Sequence, residues 1–123
     1  MKMMAQGENK IYDLEERTAV FGENVIKMCN DIYPNTVSRP IISQLVRSAT
    51  SIGANYVEAT GACSKKDFAN KIFICKKEAQ ETKHWLRMLL STKPELGLNI
   101  EILKAECMEI ILIFGKIASK SRE

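Results

Sequence analysis

The sequence predicts an all-α protein, an antiparallel up-down-up-down four-helix bundle. Three observations carry that prediction. In four stretches, apolar residues recur at alternating steps of three and four, the period of a helix with one buried seam. Segments bearing proline or glycine, at 33–40, around 61 and at 93–97, separate those stretches. No segment alternates with period two for long enough to argue for a strand. Four helices of comparable length with short connections leave chain neighbours antiparallel.

The first helix is predicted over about 14–32. Asp13 is the expected N-cap, and Glu16 three residues on completes a capping-box pattern. Leu14, Phe21, Val25, Met28 and Ile32 share one face, with Thr18 filling the gap in the stepping. Residues 1–13 are expected to be a flexible N-terminus. The second helix is predicted over about 40–60. Pro40 suits a first turn because the donor it lacks would be unpaired there. Ile42, Leu45, Ala49, Ile52, Tyr56 and Ala59 form its seam, and Gly61 is placed to end it in a left-handed conformation. The third helix, about 64–92, starts at a Ser64 cap with Asp67 at the acidic N3 position and stops before Pro94. Its seam is Phe68, Ile72, Cys75, Ala79, Thr82, Leu86 and Leu89. The fourth, about 99–119, is expected to start at an Asn99 cap and to bury Ile100, Leu103, Cys107, Ile110, Phe114 and Ile117.

The 123 residues suffice for one domain with a real core, here assigned to 14–120. No apolar run reaches the ~20 residues that span a bilayer, so no membrane partner is expected. The opening residues lack the apolar core and cleavage site of a secretory signal, and the expected location is the cytoplasm. Cys29, Cys63, Cys75 and Cys107 form no C-x-x-C pair and have no histidine at ligand spacing. No metal or cofactor is therefore expected. Cys75 and Cys107 fall on seams, where a thiol behaves as a small apolar group. Cys63 falls in a loop.

Charge is unevenly placed. Residues 64–93 hold eight bases and three acids, a surplus of five; the remaining ten bases and twelve acids leave the rest of the chain at −2. On a helical wheel Lys65, Lys76, Lys83 and Arg87 flank the seam. Lys66, Lys77 and His84 lie next to them with Phe73 among them. The opposite flank carries Asp67, Ile74, Glu78, Glu81 and Trp85. The six bases Lys65, Lys66, Lys76, Lys77, Lys83 and Arg87 form a candidate phosphate-contacting surface. Ile74 and Trp85, outside the seam, suggest a second packing partner for this helix. Opposite-sign flanks on one helix suit head-to-tail contact between copies.

The second helix reads RSATSIGANYVEA over 47–59. Gly53 costs ~1 kcal/mol against alanine in mid-helix. With Ser48, Ser51, Ala54 and Asn55 it gives a slim helix that another can approach closely. Arg47 and Glu58 are too far apart along the helix to pair with each other. Glu78 or Glu81 is the natural partner for Arg47, in a pair that fixes register.

The stretch RSATSIGANYVEA, then Ser64-Lys-Lys-Asp67-Phe68, then KIFICKKEAQETKHWLRMLL, resembles the bacterial four-helix-bundle family first described from intervening sequences of 23S rRNA genes. The resemblance covers about residues 14–118. That family looks related to the accessory variability determinant proteins of diversity-generating retroelements, which form ring-shaped pentamers with a basic surface and bind nucleic acid and a reverse transcriptase. The resemblance implies a homo-oligomer, with a pentamer as the precedent, and RNA or DNA as a partner. The family's matching polar positions fall on Arg47, Asn55, Glu58, Glu78, Glu81 and Trp85, which with Ile74 are carried over as interface or structural residues. One departure from the relatives is that this chain is only mildly basic.

Two functional readings follow. The first is a non-enzymatic homo-oligomeric bundle that binds structured RNA through backbone phosphates. The second is an oligomeric scaffold for a protein partner. An enzyme is not expected: there is no phosphate-binding glycine loop and no nucleophile with an evident base, and Glu78 and Glu81 lack the inward Glu-x-x-His of di-iron bundles.

Overall fold

The computed structural model describes residues 13–121, in which four α-helices, a single 3-10 turn and no strand are found. The expected flexible N-terminus falls, apart from Asp13, outside the described residues. The helices are α1 (Leu14–Asn30), α2 (Ser38–Thr60), α3 (Lys65–Thr92) and α4 (Gly97–Ser121), with the 3-10 turn Pro94–Leu96 leading into α4. Each helix packs on its chain neighbour, and α4 returns to α1 along the sparsest of the helix interfaces. The fold is an all-α four-helix bundle, as the seams predict.

The ends of the helices depart from expectation where local chemistry competes. Asp13 offers only its backbone carbonyl, to the Arg17 N–H at 2.7 Å. Its backbone (φ −100°, ψ 21°) is not extended, so its carboxylate makes no cap bond. At the other end of α1, Asp31 and Ile32 donate to Met28 and Cys29 carbonyls in a tighter turn, which ends the α-helix at Asn30. The start of α2 is set by Asn35, not Pro40. Asn35 Oδ1 accepts from the Val37 and Ser38 N–H groups at 3.0 and 2.8 Å, and the Asn35 N–H donates to Ser38 Oγ at 2.9 Å. This reciprocal box leaves Pro40 inside the first turn. Gly61 is not left-handed (φ −99°); the Gly61 and Ala62 N–H groups reach back three residues to Glu58 and Ala59 carbonyls. Ser64 does cap α3: extended, it accepts the Asp67 N–H at 3.0 Å. Lys93 breaks that helix, and the turn after it feeds into a helical Gly97 (φ −51°, ψ −45°). Asn99 therefore lies within α4 and does not cap it.

The core is the set of predicted seams. Phe21, Val25, Leu45, Ile52, Ile72, Leu86, Leu89, Ile100, Ile110 and Phe114 are fully buried, while Ile32, Ile42, Tyr56, Phe68 and Ile117 are half-buried against them. At mid-height the bundle narrows to small residues. A Cβ on Gly53 would lie 3.2 Å from Thr18 Oγ1, and one on Gly22 would lie 3.6 Å from the Ala49 carbonyl. The Cys75 thiol donates to the Ile52 carbonyl at 3.6 Å, and the Cys107 thiol to the Ala79 carbonyl at 3.1 Å. Side chain reaches neighbouring backbone at both points, so the helices there are close. Thr82 Oγ1 meets Ser48 Oγ at 2.8 Å in the same buried layer. The sparse α1–α4 edge is clamped by Arg17, whose guanidinium donates twice to Glu106, at 2.7 and 2.9 Å.

Burial pushes the Cys29 thiol up to about 11 and the Cys75 and Cys107 thiols up to about 12. The fold thus favours neutral thiols. That contribution is fully present below the ordinary thiol value of 9.0 and is lost as pH rises toward 12. At pH 8 a thiol reagent should label exposed Cys63 fast and leave the buried Cys75 and Cys107 until the chain unfolds. In urea titrations Ala79→Leu should lose about 2 kcal/mol by overfilling the narrow layer, while exposed Gln80→Leu should stay within about 0.5 kcal/mol of the parent.

Candidate functional site

The close α2–α3 packing brings the polar residues singled out in the sequence onto one outer face. Arg47, from the slim part of α2, reaches across to α3. Its Nη1 lies 3.2 Å from Glu78 Oε1 and its Nη2 lies 2.6 Å from Glu81 Oε1, while Nε donates to Gln44 at 3.1 Å. Hydrogen bonding to Glu81 is the main reason the Arg47 guanidinium is held above its ordinary value. Glu78 is buried, so this pair does more than decorate a surface: without Arg47 its carboxylate would face a dry interface alone. One helix end further, Lys71 Nζ meets Glu58 at 2.7 Å, an exposed pair with little effect on stability. Asn55 turns back on its own helix, donating to the Ser51 carbonyl and hydroxyl.

Trp85 is half-buried against the core of its own chain, edge-on to His84 with ring centroids 4.9 Å apart. Its Nε1 is shut off from solvent and finds no acceptor. Ile74 is also half-buried. The apolar surplus of α3 is thus partly absorbed within the chain. The large exposed apolar surface is instead on α4, where Leu98 is 80%, Ile102 61%, Met108 39% and Leu112 58% accessible.

The α3 flank facing α4 is different in kind. A Cβ on Gly115 of α4 would lie 4.0 Å from Lys76 Cε, which places that flank beside α4. Lys65, Lys66, Lys77, Lys83 and Arg87 are exposed and Lys76 is half-buried. None of the six forms an ion pair with a described residue. Phe73, one turn from Lys76 and Lys77, is 57% exposed. Glu78 and Glu81 of α3 point the other way, held by Arg47. The structure therefore brings the six bases together on one side and the polar interface candidates on the other.

Two open apolar grooves accompany these faces. One of about 300 Å³ runs between α1 and α2 over Ala19, Gly22, Thr50 and Gly53, with Glu15 and Glu23 at its margins. The other, about 430 Å³, lies at Ala62–Lys65, Phe68 and Ser121. The second groove holds Cys63, Ser64 and Lys65, and no hydrogen bond links them to one another. Among the described residues no group of His, Cys, Asp and Glu is arranged to hold a metal, and no helix is long and apolar enough to cross a membrane.

Two features had no mark in the sequence reading. The Arg17–Glu106 clamp joins residues 89 apart on opposite ends of the chain, with no local pattern to flag it. The outer stripe of α4 could have been found, because Leu98, Ile102, Ala105 and Leu112 repeat the same four-three stepping as the inner seam.

The fold and these faces define an all-α four-helix bundle with a basic flank, an Arg47-centred polar face and two open grooves. Residues 10–115 match the family model described as 23S rRNA-intervening sequence protein. The chain belongs to that family. It is also similar to a crystal structure of a protein with unknown function from the S23 ribosomal protein family of Bacteroides thetaiotaomicron VPI-5482. The TM-score is 0.75 at 30% identity, covering 85% of this chain and 96% of that one. No curated protein matches the chain.

Removing Arg47 should cost more than an exposed pair is worth. Arg47→Ala is expected to lose about 2 kcal/mol in urea unfolding, because the Glu78 carboxylate is left buried and unpaired. Adding Glu78→Gln to it should recover part of that loss, a coupling read directly from the double-mutant cycle.

Proposed function

We propose that this protein is a non-enzymatic, self-associating bundle that binds structured RNA through the basic flank of α3. The single observation that supports it best is the sorting of charge on that helix. Glu78 and Glu81 are consumed by Arg47, whereas Lys65, Lys66, Lys76, Lys77, Lys83 and Arg87 have no acidic partner among the described residues. A row of uncompensated cations on a rigid helix attracts a polyanion and contacts its phosphates without reading bases. Self-association multiplies the effect, since copies of one modest patch add to a stronger field. The family resemblance points the same way, with ring-forming, nucleic-acid-binding relatives. Location in the cytoplasm accords with an RNA partner and belongs to the same proposal.

Binding to a structured RNA should be in the micromolar range at low salt and weaken steeply as salt rises. Lys76→Glu with Lys83→Glu should reduce both the affinity and the salt slope, by about one unit of slope for each phosphate that a lysine no longer neutralises. Fluorescence anisotropy across a salt series measures both. Absence of binding at low salt would reject the RNA reading and leave a scaffold for a protein partner.

A further inference from the structure

The outward ridge of α3 steps like its buried seam but carries the opposite chemistry. Lys66, Asn70, Phe73, Lys77, Gln80 and His84 follow one another at steps of four and three, and all are exposed. Five of them are polar. Phe73 is the exception, a phenyl ring 57% accessible and the one large apolar side chain that α3 exposes. The core does not account for it, since the adjacent seam position is filled by fully buried Ile72. The ring contacts among the described residues join Tyr56 to Phe114 and His84 to Trp85, and leave Phe73 out. A phenyl ring left in water forgoes the stabilisation that burial would give.

The surroundings of the ring say what would cover it. Asn70 and Lys77 lie one turn to either side of Phe73, Lys66 and Gln80 two turns to either side, and half-buried Lys76 beside it toward α4. Lys66, Lys76 and Lys77 form no ion pair with a described acid. A protein partner that covers an apolar anchor needs a contiguous apolar patch, and here the ring stands alone among amides and cations. A lone ring among cations matches a ligand that joins a flat π surface to negative charge. A nucleotide with an unpaired base is such a ligand: the base stacks on the ring while its phosphates meet the lysines. Inside a duplex the faces of the bases are taken up by stacking on one another, and the ring has nothing to cover it.

We propose that Phe73 is a stacking platform for an unpaired RNA base, so that the RNA held by α3 is one with a loop or bulge whose phosphates run along Lys66, Lys76 and Lys77. This rests on the RNA reading of the basic flank and adds the class of RNA. Every base has a π face, so stacking of this kind tolerates any sequence and accords with phosphate contacts that read none.

Fluorescence anisotropy on the full chain tests it, with two probes: an RNA hairpin carrying a purine loop, and a blunt RNA duplex of the same stem sequence. At low salt the parent should favour the hairpin. Phe73→Ala should weaken hairpin binding at least about fivefold and remove that preference. Phe73→Leu, apolar but without a π face, should lose the preference too, whereas Phe73→Trp should keep it. Position 73 is exposed, and circular dichroism confirms that each variant retains its helices. If neither probe binds the parent, the RNA reading and the platform fall together. Equal binding of the two probes by the parent would overturn the platform alone, as would a preference that survives Phe73→Ala or Phe73→Leu, or one that Phe73→Trp abolishes.

Discussion

Close approach of the helices at mid-height is the constraint on which the rest of the structure depends. Gly22, Gly53, Ala49, Ala79, Cys75 and Cys107 leave no bulk between neighbouring helices, so thiols reach across to backbone carbonyls. Packed interiors tolerate extra volume poorly, and a narrow layer of this kind allows one register. The Thr82–Ser48 hydrogen bond lies within the layer and ties α2 to α3 at that register. The mid-helix glycine, unfavourable by propensity, sits against Thr18, whose Oγ1 would lie only 3.2 Å from an added Cβ.

Fixing α3 against α2 also fixes which way the flanks of α3 face. Arg47 lands between Glu78 and Glu81, and these two acids of α3 are neutralised on the α2 side. The six bases then lie on the α4 side and outward, and none forms an ion pair with a described acid. Rotation of α3 by a fraction of a turn would mix the two sets and erase the polarity. The same bundle geometry turns the inner seam of α4 to the core and leaves its second seam in water. Surface character in this molecule is therefore a consequence of core packing, and the proposed RNA face derives from that register.

The seams were legible because burial of an apolar stripe depends on period alone. Cys75 and Cys107 illustrate this: step position, not residue type, marked both as buried, and both are. Arg47 was legible as half of an ion pair because its outward face carries no nearby acid on its own helix. Caps were legible only where one residue had no rival. Ser64 is extended and free to accept, so it caps as expected. Asp13 and Asn99 have suitable side chains, yet neither has the extended backbone of a cap: Asp13 has φ −100° and ψ 21°, and Asn99 lies inside α4. Asn35 succeeded through Ser38, a reciprocal pair hidden behind the stronger signal of Pro40. The Arg17–Glu106 clamp was illegible because it depends on how α1 meets α4, which no local pattern encodes. Trp85 looked like surplus apolar surface, but a flank position on α3 is close enough to the core to be half-covered.

Native-state hydrogen exchange, resolved by residue, tests the central claim most directly. If the narrow layer holds the register, the amides of Ala49–Gly53 and Cys75–Thr82 exchange only when the whole chain unfolds, and both segments share one opening free energy. Exchange of the Cys75–Thr82 amides by a smaller opening, with Ala49–Gly53 still protected, would contradict it, because α3 could then move against α2 without the fold being lost.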